Sequence, residues 1–483
     1  MASVIHRNID ENIRYFHGKL AVDRNFDIIY RVLDIGGRRS CLYMVDGFTK
    51  DEVIQKLLQT LMGTKPDQVP DSAHGLSKML LPYGEIGLAK DADTAISQLL
   101  MGITIMFVDG YDQALTIDCR SYPIRSVEEP DKDRVLRGSR DGFVETLVFN
   151  TAMIRRRIRD PHLINEIMQV GSSSSTDIAI CYMQNRVDQE LLDTIKMRMK
   201  NLRVDALTMN QESLAECIYP HKWYNPFPKF KYSERPDTAA ACILEGSIVV
   251  LVDNSPAAMI LPSSIFDIIE EANDYYFPPV TGTYLRLSRM LAFLLAIFLT
   301  PLFLLVVTNP GLLPPYMEFV LPKDPVNVPF IWQLLILEFA VDGLKLAAVN
   351  TPNMLTTPLS VIAGLIIGDF AASSGWFNAE TMLYMAFVVL ANYTQTSMEL
   401  SYALKFMRLI LLVLTAMFGV WGFAAGTAIA FAAIIGNRTI AGKNYLYPIV
   451  PFDGKEVLRR FFRVRIQYTW ERNDTDEKKD LSQ

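Results

Sequence analysis

Three ionisable residues, Glu338, Asp342 and Lys345, stand inside an otherwise apolar segment, FIWQLLILEFAVDGLKLAAV, Phe330 to Val349. Their i, i+4 and i+7 spacing places them on one helical face with Ile331, Leu335 and Val349. Three charges at a bilayer centre cost roughly 7 to 10 kcal/mol, whereas about a dozen Leu, Ile, Val and Phe side chains contribute roughly 4 to 7 in favour of insertion. The segment therefore does not insert alone. Either it lies at the interface as a surface helix, or it turns its charged face to protein or water inside an assembly. In a water-filled path such carboxylates, repeated as rings, concentrate cations and replace part of their hydration shell. The structural alternative is a Glu or Asp paired with Lys345 or with a neighbouring helix.

Other residues with chemical potential lie elsewhere. Arg155, Arg156 and Arg157 close the stretch RGSRDGFVETLVFNTAMIRRRIRDP, in which Ser139 or Asp141 can cap a helix whose apolar side recurs at Phe143, Leu147 and Ile154. These arginines either satisfy the helix C-terminus and nearby carboxylates or clamp another domain or subunit. Ser172 to Ser175 follow a glycine in the manner of an anion nest, but no lysine follows at P-loop spacing, so a polar hairpin turn fits better. Gly364 and Gly368 have the spacing at which two membrane helices approach closely, and Asp369 follows them. No GxxxxGK[ST], HExxH, CxxC or GxSxG occurs, and no histidine lies beyond His221. Nucleotide, zinc and acyl-transfer sites are thereby disfavoured, and neither a cofactor, a metal nor an enzyme activity is expected. Cys41, Cys119, Cys181, Cys217 and Cys242, odd in number and widely spaced, fit reduced core thiols.

The element that must position the charged face is the uncharged run MLAFLLAIFLTPLFLLVVT, Met290 to Thr308. At ~1.5 Å per residue it nearly matches a ~30 Å hydrocarbon core. Arg286 and Arg289 just before it hold the upstream chain on the cytoplasmic side. The proline-rich stretch between Thr308 and Phe330 fits an outside loop. Further apolar stretches follow at Leu359 to Ser374, Thr381 to Ala391 and Leu409 to Gly436, with Lys405 and Arg408 bringing positive charge back inside. The last stretch is long for one span and short for two, and Gly419, Gly422 and Gly426 are available for a break or re-entrant bend. KEVLRRFFRVR, Lys455 to Arg465, places the C-terminus inside, and the charged end beyond it is expected to be disordered. Two counts satisfy these constraints: four spans with the Phe330 to Val349 helix on the surface, or six membrane elements ending in a hairpin. Six is preferred.

The mean composition, 50% apolar with mean hydropathy +0.17, averages this half with a mixed, charged one. A formal charge of −6 with both signs interspersed gives no surface for nucleic acid. MASVIHRNIDENIRYF holds no apolar signal core, so the upstream segment is expected to stay on the side of synthesis. FDIIYRVLDI, the Gly36–Gly37 turn, SCLYMVDGF and a helix capped at Thr49 form an α/β unit, which ITIMFVDG and ALTIDCRSYPI complete as a hairpin of one small mixed sheet. A charged connector at Arg125 to Asp133 leads to a second unit. There TDIAICYM is a strand, Asp188 to Leu202 a helix, Pro226, Pro228 and Pro236 forbid regular helix, and GSIVVLVDNSPAAMIL holds two β runs around a turn.

RGSRDGFVETLVFNTAMIRRRI, YSERPD at Tyr232 to Asp237, LEGSIVVLVDNSP at Leu244 to Pro256 and DYYFPPVTGTYLRLSRMLAFLLA occur in the order found in the A subunit family of bacterial spore germinant receptors, which the chain resembles over nearly its whole length. SMELSYALKFMRLILLVLTA is most similar to the branch called stage V sporulation protein AF; the departures are Ser139 and Asp141, where the family more often has proline and glutamate. The resemblance implies a multi-pass protein of the spore inner membrane with both termini on the core side. It also implies assembly into a homo-oligomeric ring, a pentamer, that conducts ions beside other germination proteins in membrane lipid. The expected architecture is an α/β cytoplasmic head of two small mixed subdomains (1–130 and 131–285), an all-α polytopic membrane domain (286–437) and a basic juxtamembrane tail (438–483). A channel subunit and a non-conducting scaffold of a germination complex are the two functions it allows.

Overall fold

Two apolar-rich runs, IIYRVLDI and RRSCLYMV, joined by a two-glycine turn, give the first hairpin: β1 (Ile28–Ile35) pairs antiparallel with β2 (Arg38–Val45), Ile35 opposite Arg38. The computed structural model describes residues 4–81, 83–122, 138–219, 224–350 and 373–463. The connector at Arg125 to Asp133 and the Gly364–Gly368 pair lie outside the described residues. Adding β3 (Ile86–Ala89), β4 (Thr104–Val108) and β5 (Ala114–Ile117) makes a sheet of order β1-β2-β4-β5-β3. A second sheet, from β6 (Leu163–Val170), β7 (Thr176–Met183), β8 (Lys231–Ser233), β9 (Ile248–Val252) and β10 (Ala258–Leu261), has the order β6-β7-β9-β10-β8. Every pairing is antiparallel, so neither sheet is mixed: two short hairpins supply four of the five strands in each.

The two sheets share one topology, and their helices recur with them. Ile9–Leu20 precedes β1 as Leu147–Arg157 precedes β6; Asp51–Met62 follows β2 as Gln189–Lys200 follows β7; Ala92–Leu100 precedes β4 as Pro236–Leu244 precedes β9. The duplication reaches individual hydrogen bonds. Asp109 Oδ1 accepts the Ile9 amide at 3.1 Å, and Asp253 Oδ1 accepts the Leu147 amide at 3.2 Å, each capping a helix from the β4–β5 or β9–β10 turn. Asn12 exchanges two bonds with the backbone of His6, and Asn150 exchanges two with Val144. Gly102 (φ +91°) and Gly246 (φ +96°) end the equivalent third helices in the left-handed region.

Three local expectations are corrected. The helix expected to be capped by Ser139 or Asp141 begins only at Leu147, where Asp253 accepts the amide of its first residue and Asn150 accepts that of Val144 ahead of it. Pro236 starts a helix rather than forbidding one, since at the first helical position its missing N–H is not needed. The Asp51–Met62 helix is flanked by Lys50, not Thr49, which instead forms a β-bridge with Arg120.

By its contacts the chain forms two compact units, Met1–Pro220 with Phe230–Pro262, and His221–Lys229 with Ser263–Gln483. Ile265, Ile268 and Ile269 of the segment that precedes Pro279–Thr308 join the core of the helices. The second unit also takes in nine residues from between β7 and β8. Phe227 is fully buried among Ile268, Ala430, Ile434 and Tyr445, and Lys229 Nζ donates to the Arg438 carbonyl at 3.2 Å and to Asn437 Oδ1. The helical unit contains Pro279–Thr308, Phe330–Asn350, Ala379–Tyr393, Met398–Ile435 and Gly454–Phe461. Among the described residues, Pro279–Thr308 and Met398–Ile435 are long and apolar enough to cross a membrane by length and composition.

Candidate functional site

Met398–Ile435 is interrupted at Gly419, whose φ of +56° and ψ of −128° only glycine adopts readily. The chain reverses there. A Cβ on Gly422 would lie 1.8 Å from the Leu414 carbonyl oxygen, and one on Gly426 2.5 Å from Leu411 Cδ1. Along one continuous helix, eight residues separate such positions by about 12 Å. The two arms thus pack as a helical hairpin in which Gly422 and Gly426 permit close backbone approach.

The first arm carries Lys405 and Arg408, both buried, and meets the charged face of Phe330–Asn350. Arg408 donates from Nε and Nη2 to Glu338 Oε1 (2.5 Å) and Oε2 (2.9 Å), and from Nη1 to the Ala296 carbonyl of Pro279–Thr308. One arginine therefore ties three helices together. Lys405 Nζ donates to the Glu338 carbonyl oxygen at 3.2 Å, stands 3.5 Å from Oε2 and pairs with Asp342 Oδ2. Two acids and two bases balance here. Of the two pairings the sequence allows, with Lys345 or with a neighbouring helix, the fold has the second, Lys405 reaching Asp342 from the facing helix; Lys345 Nζ lies 5.1 Å from the ring centre of Tyr393 and 5.7 Å from that of Tyr402.

The two carboxylates differ in freedom. The Glu338 side chain is 4% exposed with both oxygens engaged, whereas Asp342 is 29% exposed and its Oδ1, itself buried, accepts no hydrogen bond among the described residues. Sequence reasoning missed Lys405 and Arg408 as counter-ions, having used them only to orient the chain. Their i, i+3 spacing beside the i, i+4 spacing of Glu338 and Asp342 was the available signal.

The three arginines of the head serve three partners. Arg155, fully buried, donates from Nε to Asp27 Oδ2 (2.8 Å), and from Nη2 to Asp27 Oδ1 (3.2 Å) and the Leu163 carbonyl (3.1 Å), linking the two sheet modules. Arg156 stacks 4.5 Å from the Tyr122 ring centre. Arg157 binds Asp141 at 2.6 and 2.7 Å; burial raises the Asp141 carboxyl, but hydrogen bonds from Arg157 and Ser139 outweigh it and hold it below its ordinary range. The Ser172 and Ser173 hydroxyls donate to Asp205, so this turn presents a carboxylate where an anion nest would need bare donors. Among the described residues, no group of three His, Cys, Asp or Glu is placed to hold a metal.

Residues 15–475 match the family described as Bacillus/Clostridium GerA spore germination protein. Stage V sporulation protein AF of Bacillus subtilis (strain 168) is 35% identical over 461 residues, 95% of this chain and 93% of that protein. Spore germination protein KA of the same organism is 27% identical over 456 residues, 92% of this chain and 83% of that one. The crystal structure of the N-terminal domain of the A subunit of the Bacillus megaterium spore germinant receptor GerK3 covers 54% of this chain and 96% of its own, at 25% identity and a TM-score of 0.42.

Proposed function

The chain belongs to the Bacillus/Clostridium GerA family of spore germination proteins, and from that premise we propose that it is a multi-pass protein of the spore membrane that passes cations as an oligomer. The observation that carries this reading is the inverted polarity of the helical unit. Glu338, Lys405, Arg408 and Thr415 are buried, while Leu291, Leu294, Phe339, Met417 and Trp421 are exposed, Trp421 at 83%. In water that arrangement is unfavourable by about 25 cal/mol per Å² of apolar surface; in lipid it is the low-energy one. Pro279–Thr308, Phe330–Asn350, Ala379–Tyr393 and the two hairpin arms supply five membrane elements. The apolar stretch at Leu359 to Ser374 lies, but for its last two residues, outside the described residues. Asp342, with one oxygen unpartnered, is the group this reading assigns to cations; Glu338 becomes the support that fixes its helix.

A second reading, a non-conducting scaffold, is favoured by the closed Glu338–Arg408 pair, which leaves no water-facing charge at that position. Ion flux per folded protein in liposomes separates the two. Asp342→Asn keeps the shape and removes the charge, so conduction predicts lost or less selective cation flux at unchanged folded yield. Wild-type flux from this variant would remove Asp342 from the path, and no flux from wild-type protein would favour the scaffold. A cysteine placed near Gln483 and labelled from outside intact cells would overturn the orientation.

A further inference from the structure

The C-terminal segment offers an amphipathic surface that neither reading uses. Gly454–Phe461 is capped at its N-terminus by Asp453, whose Oδ1 accepts the amides of Lys455 (3.1 Å) and Glu456 (3.3 Å). Its C-terminal carbonyls are capped by another helix: Arg286 Nη1 donates to the carbonyls of Arg459 (3.1 Å) and Arg460 (3.4 Å). Arg460 pairs with Asp267 at 2.5 Å and Glu270 at 3.2 Å, and the Arg463 amide donates to Thr283 Oγ1 at 3.1 Å. Phe461 turns inward to Phe266. These contacts fix the short helix against the first turns of Pro279–Thr308, ahead of the apolar run that begins at Met290.

Its other side has no partner among the described residues. Phe452 is 76% exposed, Leu458 60% and Phe462 50%. Val280, Tyr284, Leu287 and Leu291, at one-turn spacing on Pro279–Thr308, are exposed as well, so the span carries an apolar stripe starting from the turns to which the helix is tied. Several basic side chains here are paired, Arg286 and Arg289 with Glu270, Glu271 and Asp274, Arg460 with Asp267 and Glu270, and Arg459 with Glu456, whereas Arg463 donates to the Tyr275 carbonyl and Lys455 is exposed.

We propose that Phe452, Leu458 and Phe462 insert into the lipid headgroup–acyl boundary, making Gly454–Phe461 an interfacial helix held parallel to the bilayer surface at the entrance of the first span. The occupant is a lipid surface because the exposed residues are apolar and aromatic, Arg460 is turned inward to Asp267 and Glu270, and the face is tied to the turns where the apolar stripe of the span starts. The proposal rests on the membrane reading above and not on conduction.

The test uses the full chain in two sets of vesicles, pure phosphatidylcholine and phosphatidylcholine with phosphatidylglycerol, with the photocrosslinking residue p-benzoylphenylalanine in place of Leu458, Phe462, Leu294 or, as an exposed position of the α/β unit, Met79. Irradiation should give several-fold more lipid adduct at Leu458 and Phe462 than at Met79 in both vesicles. Lipid adduct at Leu294 with none at Leu458 and Phe462 overturns this inference while the membrane reading stands. No adduct at Leu294 either overturns both. A protein–protein adduct at Leu458 shows a second copy on this face and also overturns it. Because all four positions are exposed or half-buried, the label should not unfold the chain, and melting of each labelled protein verifies that.

Discussion

Glu338→Gln and Arg408→Met, made singly and together, test whether the central pair is structural. The Glu338 and Arg408 side chains are 4% and 1% exposed and joined by two hydrogen bonds of 2.5 and 2.9 Å. Removing one partner leaves an uncompensated buried charge, so each single change should lower stability by about 3–5 kcal/mol. The double change removes both charges and loses mainly the Arg408 bond to the Ala296 carbonyl, about 1 kcal/mol, and some packing. The double variant should therefore be more stable than either single one, with a coupling of at least about 2 kcal/mol. That exceeds the ~1.7 kcal/mol reached by neutral hydrogen bonds between membrane helices, so the charge itself is what is measured. Reversible unfolding in bicelles, followed by circular dichroism, gives the four values. Additive changes, or single changes below about 1 kcal/mol, would refute the structural role and return Glu338 to the ion path.

Gly422→Ala puts a carbon within 1.8 Å of the Leu414 carbonyl and should abolish the hairpin, read as loss of folded protein in detergent, whereas Gly311→Ala, with open space around it, meets no clash and should lower the yield far less. Asp109→Ala and Asp253→Ala each remove the same helix cap from a different copy of the duplicated module, and both should lower head stability by about 1 kcal/mol in denaturant unfolding; unequal losses would argue against equivalence. Asp141 has a carboxyl held below its unfolded value, so its contribution is present above roughly pH 4 and is lost as pH falls through the folded pKa. Asp141→Asn should accordingly lower the melting temperature at neutral pH and flatten its fall under acid. Phe227→Ala, at a fully buried site where the segment between β7 and β8 enters the helical core, should destabilise that unit by about 3–5 kcal/mol in the same bicelle assay.

Local pattern made the strands and the apolar helices legible, since short β-branched runs such as SIVVLV bounded by turn residues and a long unbroken apolar run such as Met290 to Thr308 are local signals. The available glycines marked where Leu409 to Gly436 could break. The duplication of the head was not legible, because the copies share topology and caps, such as Asp109 with Asp253, rather than a repeated word of sequence. Helices at Gln211–Ile218 and Pro236–Leu244 were missed beside prolines that look like breakers until one of them is seen at a helix start. The partners of the charged face were out of reach for a different reason: nothing local joins Glu338 to Arg408, seventy positions away.

The residues that carry the orientation argument in the sequence are, in the fold, the ones that hold helices together. Arg286 and Arg289 bind Glu270, Glu271 and Asp274; Arg460 binds Asp267 and Glu270; Lys405 and Arg408 bind Asp342 and Glu338. These uses do not compete, because they belong to different stages. Insertion acts on the nascent chain, where Asp and Glu contribute little and Lys and Arg alone resist translocation. Pairing acts afterwards, when the helices have met and an unpaired charge would cost several kcal/mol. The acids therefore need not appear near their bases in sequence; they need only lie on helices that arrive at the same depth. It follows that a count of basic residues predicts side but overestimates free surface charge, and that in this chain the exposed face of the C-terminal segment is set by Phe452, Leu458 and Phe462 rather than by its arginines.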